Sequence, residues 1–282
     1  MDEPRAEAFP ARGLDALPPA EMARKAEEVG VAKVGMELTR LLVLAVLAGA
    51  FIAMGAIFAT TVMAGGEALP YGVKRLLGGL VFSLGLVLVV VAGAELFTGN
   101  NLVVMAWASR RVTTARFAAN LVLVYLGNFA GALATAGIML ATKQYTFGGG
   151  AVGREVLSIA QAKTSLGFGQ AIALGMLCNA LVCLAVWLTY SARTTTDRIL
   201  AVIPPIAAFV ASGFEHSIAN MYFIPIGLLV EGRAGLPDVE GLTWGSFFAD
   251  NLLPVTIGNL IGGTIMVGGL YWLAYLHPRG TQ

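Results

Sequence analysis

Charge is what this chain has least of. Only 12% of its 282 residues are Asp, Glu, Lys or Arg, about half the share in an ordinary soluble domain, where charged residues make up roughly 25%. With 57% hydrophobic residues, that scarcity excludes a water-soluble globule and points to a membrane protein. The formal net charge is +1, so no basic field marks a nucleic-acid partner. There are two cysteines. Cys178 and Cys183 sit about 7.5 Å apart along a helix axis, on different faces and beyond disulfide reach, and read as core. Catalytic and nucleotide signatures are missing too: no HExxH, no phosphate loop and no Cys-x-x-Cys, so no metal, cofactor or enzyme active site is expected. The glycine-rich "GGGAVGRE" at 148–155 follows no strand and reads as a loop. The first forty residues hold no long apolar run, and Arg5 and Arg12 precede any hydrophobic stretch, so no cleavable signal peptide is expected.

What is present is a series of uncharged runs. A helix needs about 20 apolar residues to cross the hydrocarbon core. Residues 41–66, 117–142, 164–192 and 251–276 each satisfy that alone. Two further runs, 76–109 and 199–230, are 34 and 32 residues long and are uncharged except at Glu95 and at Glu215 and His216. Both are too long for one straight span and carry Gly, Ser, Thr or Asn beside the charge. They are expected to be crossings broken into half-helices.

Of the 18 Lys and Arg residues, twelve fall on one side of these six spans, counting Arg5, Arg12 and Arg279. Six fall on the other, which also carries the acids of the last loop. By the positive-inside rule both termini are expected to be cytoplasmic. The stretch 17–33, "LPPAEMARKAEEVGVAK", opens on Pro18-Pro19 and places Met22, Ala26 and Val29 on one side, which predicts a cytoplasmic amphipathic helix within an N-terminal segment, residues 1–40. Residues 41–282 then form the six-helix membrane domain.

The chain also repeats itself. "GAELFTGNN" at 93–101 matches "GFEHSIANM" at 213–221 through Gly93/Gly213, Glu95/Glu215 and Asn100/Asn220, at an offset of 120. "GNFAGA" at 127–132 matches "GNLIGG" at 258–263 at an offset of 131. Two three-helix halves follow, and because three is odd they enter the membrane in opposite senses. In such inverted repeats broken helices meet near the midplane, where half-helix ends and freed backbone face a polar solute.

His216 is the one histidine within a span, since His277 lies past the last. An ionisable group in lipid is costly and marks a pathway by default, and an imidazole can donate a hydrogen bond to an anion or exchange a proton with it near neutral pH. Glu95 and Glu215 are expected to hold the backbone of their own breaks, with Asn100 and Asn220, although direct solute contact is the alternative for each. Thr98 offers a hydroxyl at the equivalent break. Phe82, Leu86, Leu96, Phe97 and Phe209 could form apolar constrictions, or simply core.

With "LFTGN", "CNALVCLAVW", "ASGFEHSIANM" and "NLLPVTIGNLIGG" in place, the sequence resembles the formate/nitrite transporter family from about residue 17 to 276. "FEHSIANMYFIPIG" and "LPVTIGN" resemble its formate-channel branch, whereas "AELFTGN" and "AQAKT" lean toward the nitrite branch. The resemblance implies an all-α, aquaporin-like protomer in a homopentamer of a bacterial inner membrane. Each protomer would have its own pore for small monovalent anions, formate first, with nitrite or hydrosulfide as alternatives. It implies that His216 is the central histidine, that Thr98 faces it, and that Asn179 and Lys163 are polar partners attracting the anion. Phe82 and Phe209 would line the periplasmic constriction, with Leu86, Leu96 and Phe97 as hydrophobic barriers. A pH-dependent passage follows if the anion takes a proton at His216. Three rival readings stand beside it. An aquaporin-like neutral-solute channel lacks twin Asn-Pro-Ala repeats, since Met221 follows Asn220. An embedded acid/base enzyme lacks a third catalytic group, and a non-conducting sensor has only the N-terminal helix in its support.

Overall fold

A computed structural model describes residues 16–277. Arg5, Arg12 and Arg279, counted in the charge asymmetry, lie outside them. Among the described residues every regular element is helical. The first is α1 (Pro19–Val34), with Pro18 at its N-cap and Pro19 in the first turn, where a missing N–H costs nothing. It buries Met22, Ala23, Ala26 and Gly30 against the rest of the chain. Next comes α2 (Leu38–Met63), opened by Glu37, whose carboxylate accepts the backbone N–H groups of Thr39 and Arg40 at 2.8 and 2.9 Å.

The two long runs that carry charge do not fold as single helices. The first begins with α3 (Tyr71–Val87) and a π-wound turn, Leu88–Gly93. The chain is extended through residues 94–96, and a helix resumes at α4 (Phe97–Asn100), leading into α5 (Val104–Ala108). The second runs through α9 (Thr195–Ala211), turns at 212–216 and resumes as α10 (Ser217–Val230). Gly93 and Gly213, matched in the sequence, both hold positive φ, +84° and +74°, which a side chain would strain. Between and after these lie α6 (Thr114–Thr142), α7 (Ala151–Thr164), α8 (Phe168–Ser191), α11 (Trp244–Ser246), α12 (Leu253–Leu260) and α13 (Leu270–Tyr275).

Among the described residues, five continuous helical stretches are long and apolar enough to cross a membrane: Leu38–Met63, Tyr71–Gly93, Thr114–Thr142, Phe168–Ser191 and Trp244–Tyr275. The last starts seven residues before the sequence places it, carried through Asp250 by a π-wound turn at Phe247–Leu252. The segment 148–155 also differs from expectation. Only Gly148, Gly149 and Gly150 form a turn, each with positive φ, and residues 151–155 are the opening of α7, an amphipathic helix that buries Val152, Val156 and Ala160.

The matched "GN" segments have a packing reason. A Cβ on Gly131 would overlap the Val46 carbonyl, and one on Gly262 the Met176 carbonyl. Glycine lets α6 lie directly on α2, and the segment from α12 onward lie directly on α8, as closely packed membrane helices require. That approach brings the adjacent asparagines, Asn128 and Asn259, within reach of a neighbouring backbone.

Candidate functional site

Three helices converge on each turn in the charged runs, and the same set of hydrogen bonds forms at both. At the first, Asn128 Nδ2 donates to the carbonyls of Ala45 (2.7 Å) and Glu95 (2.9 Å), and its Oδ1 accepts Phe97 N–H (2.9 Å). At the second, Asn259 Nδ2 donates to the carbonyls of Gly175 (2.8 Å) and Glu215 (2.9 Å), and its Oδ1 accepts Ser217 N–H (2.9 Å). Both asparagines are fully buried. They satisfy the backbone groups that an interrupted helix exposes, which would otherwise be orphaned in an apolar interior.

The carboxylates do something else. Glu95 and Glu215 were expected to accept freed backbone N–H groups, but they take side-chain donors. Lys33 Nζ reaches Glu95 at 2.6 Å, and Asn100 Nδ2 bridges Glu95 (2.8 Å) and Asn120 (3.1 Å). Lys163 Nζ reaches Glu215 at 2.8 Å, and Asn220 Nδ2 bridges Glu215 and Asn251, both at 2.7 Å. Asn120 and Asn251 close each ring by donating to the carbonyls of Lys33 (3.4 Å) and Lys163 (2.8 Å). Each buried acid therefore has a cation and an amide, the pairing that makes a buried charge tolerable. Lys33, Asn120, Asn128, Asn251 and Asn259 were not singled out from the sequence, although Asn128 and Asn259 sit inside the matched "GN" segments.

Between the two rings lie Thr98 and His216, their Oγ1 and Nε2 3.0 Å apart and both almost wholly buried. His216 is also the N-cap of α10, its Nδ1 accepting Ala219 N–H at 3.0 Å. An Nδ1 that accepts leaves the proton of a neutral ring on Nε2, directed at Thr98. The Thr98 hydroxyl accepts that bond and keeps its own hydrogen free. Together the two side chains can present two O–H/N–H donors to one small acceptor.

Two cavities approach this pair. The first is lined by Lys163, Glu215, His216, Phe82 and Phe209, the two phenyl rings meeting edge-on at 5.7 Å. The second is lined by Lys33, Glu95, Leu86 and Leu96. Helix α2 gives Ala59 and Met63 to the first and Arg40 and Leu44 to the second. The fifteen residues from Leu44 to Ala59 separate them by about 22 Å of helix.

Two residues stand apart from the roles the resemblance implied. Phe97 lines neither cavity; its ring packs edge-on against Tyr125 at 4.8 Å. Asn179 lines neither as well; its amide donates to the Asn259 carbonyl at 2.6 Å and holds α8 to α12. Cys178 and Cys183 are buried free thiols on α8.

Apolar spans that enclose paired buried charges, a buried polar pair and a cavity at each of the two turns define a multi-pass membrane protein of the transporter class. The comparisons give the class a family: residues 20–273 match the formate/nitrite transporter model, and the chain belongs to the formate/nitrite transporter family. It is 44% identical to the formate channel FocA of Escherichia coli strain K12 over 276 residues, 94% of this chain and 97% of that one. It is 39% identical to FocA of Haemophilus influenzae over 264 residues, 90% of this chain and 93% of that one. Among solved structures it is similar to a pentameric formate channel with formate bound, with a TM-score of 0.79 and 42% identity, covering 85% of this chain and 98% of that one.

Proposed function

We propose that this protein is a channel for small monovalent anions, formate first, of a bacterial inner membrane, with passage controlled at Thr98 and His216. The observation that carries it is the 3.0 Å Thr98–His216 pair, with His216 in the wall of a lysine-bearing cavity that Phe82 and Phe209 also line, and a second such cavity, lined by Leu86 and Leu96, at the turn that carries Thr98. Formate-channel relatives support the choice of substrate, and the pentameric neighbour supports a homopentamer with one pore per protomer. The matching bonds of Asn128 and Asn259, and of Asn100 and Asn220 to their carboxylates, support two inverted three-helix halves, aquaporin-like, with the second and fifth helices broken. Residues 1–40 form the N-terminal segment and 41–282 the channel domain, with both termini cytoplasmic.

The mechanism follows from the environment of the pair. The cationic side chains lining the two mouths outnumber the carboxylates and raise the anion concentration there, and the apolar walls between them penalise a bare charge. A weak-acid anion that is protonated on the way crosses as a neutral molecule at far lower cost. His216 Nε2–H and Thr98 Oγ–H give its oxygen atoms two donors at the narrowest point. Passing a proton on takes two linked events: Nδ1 takes up a proton from water of the supplying side, which opens the cap on Ala219 transiently, and Nε2 gives its own proton to the anion, so the ring ends neutral and the acid leaves neutral. Flux therefore rises as the pH of the supplying side falls, because the proton that the ring passes on is drawn from that side. Nitrite and hydrosulfide share this chemistry.

The test is substrate competition in proteoliposomes. Uptake of labelled formate that is suppressed by nitrite and by unlabelled formate, with no glycerol permeation, supports a weak-acid anion channel. Glycerol flux comparable to formate flux means a neutral-solute channel.

A further inference from the structure

The two mouths match in their Lys-Glu-Asn rings and differ in everything cationic around them. The first cavity carries Lys74, Arg75 and Lys163 against two carboxylates, Glu155 and Glu215. Lys74 is neutralised by Glu155 at 2.8 Å, and Arg75 is turned onto the Val210 carbonyl. The second cavity, about 570 Å³, carries Lys25, Lys33, Arg40 and Arg198 against one carboxylate, Glu95, which is already held by Lys33. Among the described residues no carboxylate pairs with Lys25, Arg40 or Arg198. Lys25 Nζ rests on a backbone carbonyl, that of Tyr190, at 2.9 Å. The nearest acid on α9, Asp197, is committed to the N–H groups of Arg193 and Thr194 in a capping box.

Burial, and then the charges of Arg198 and Arg193, hold the Lys25 ammonium below its ordinary value. Among the described residues Lys25, Arg40 and Arg198 thus share one cavity with no carboxylate paired to any of them, an arrangement that favours an anion carrying more than one charge. A monovalent anion needs only one of these groups. A polyvalent oxyanion can engage three, yet it cannot be neutralised by one proton and so cannot follow formate past Leu86 and Leu96, which line the same cavity.

We propose that the Lys25–Arg40–Arg198 mouth binds a compact polyvalent oxyanion of the phosphate class, inorganic or nucleotide-borne, which plugs the pathway from that side alone. The plug rests on the channel reading for its effect on flux, but its binding is measurable without transport. The experiment uses the full chain. Calorimetry in detergent with pyrophosphate and, separately, ATP measures binding of the inorganic and nucleotide forms, against chloride at equal ionic strength. Formate flux is then measured in right-side-out and inside-out membrane vesicles with each compound added outside.

Arg40 and Arg198 are exposed and their side chains make no hydrogen bond, so Arg40→Gln/Arg198→Gln folds as the wild type does. The expected result is binding with inhibition in inside-out vesicles only, weakened about tenfold in the double variant, the combined effect of two exposed charge contacts. ATP acting where pyrophosphate does not assigns the site to a nucleotide, and the converse to inorganic phosphates. No binding by either, equal inhibition from both sides, or unchanged inhibition in the double variant overturns the proposal. Formate flux absent from untreated wild type overturns the channel reading instead and leaves the calorimetric result standing.

Discussion

Replacing Asn259 by alanine removes the side chain that serves three backbone groups at the second turn. Gly175 lies within α8, but the Glu215 carbonyl and the Ser217 amide have no other partner, and the site is fully buried. Each orphaned group costs about 1–3 kcal/mol, so the pair costs about 2–6 kcal/mol. At roughly 2 °C per kcal/mol for a chain of this size, the apparent melting temperature falls by about 4–12 °C. The assay is unfolding of the detergent-purified protein followed by tryptophan fluorescence. Asn128→Ala orphans the corresponding groups of Glu95 and Phe97 and is expected to fall by the same amount within about 1 kcal/mol. Leu253→Ala, an outward-facing change on the same helix, is the control and shifts little. A melting temperature unchanged in either asparagine variant would refute the bracing argument, and a large loss in only one would refute the equivalence of the two turns.

Removing one member of the Lys163–Glu215 pair leaves a buried charge uncompensated. Lys163→Gln and Glu215→Gln should each destabilise, while the double variant costs less than their sum by about 1–3 kcal/mol; additive losses in the same unfolding assay would mean the pair is not coupled. Glu37 caps α2, and the backbone N–H groups of Thr39 and Arg40 hold its carboxyl below the usual carboxylate range. A depressed folded value adds stability above the unfolded value and loses it as pH falls through the folded one. Glu37→Ala is therefore expected to melt below wild type at pH 7 and together with it at strongly acid pH; a gap that persists in acid would contradict the cap. Leucine at Gly131 forces α2 and α6 apart and should abolish assembly of folded protein on size-exclusion chromatography, whereas leucine at Gly137, whose Cβ would meet nothing, should not.

The spans were legible because their signal is the absence of charge, and the turns because Glu95, Glu215 and His216 interrupt it. What the sequence obscured was reach. Lys33 and Lys163 lie outside the long uncharged runs or at their edge, and only folding brings them 62 and 52 residues along the chain to their carboxylates. Asn128 and Asn259 were visible as letters in a repeated "GN", but their role depends on helices close enough for an amide to touch a neighbouring carbonyl, a property of the glycines beside them. The resemblance implied a barrier at Phe97, and no sequence signal showed that its ring packs on Tyr125. The opening of α7 was hidden by three glycines that end just where the helix begins.

The central claim is that His216 Nε2–H governs a pH-dependent anion path. His216→Asn tests it most directly, because asparagine keeps a good N-cap for α10 while its shorter side chain cannot reach Thr98. Wild type and variant are reconstituted in liposomes, and formate-driven internal pH change is followed at external pH 7 and 5. The account predicts fast wild-type flux that rises toward pH 5, and a variant that folds normally but loses that rise. Equal flux at both pH values in the two proteins would make His216 only the cap of its helix and would contradict the mechanism.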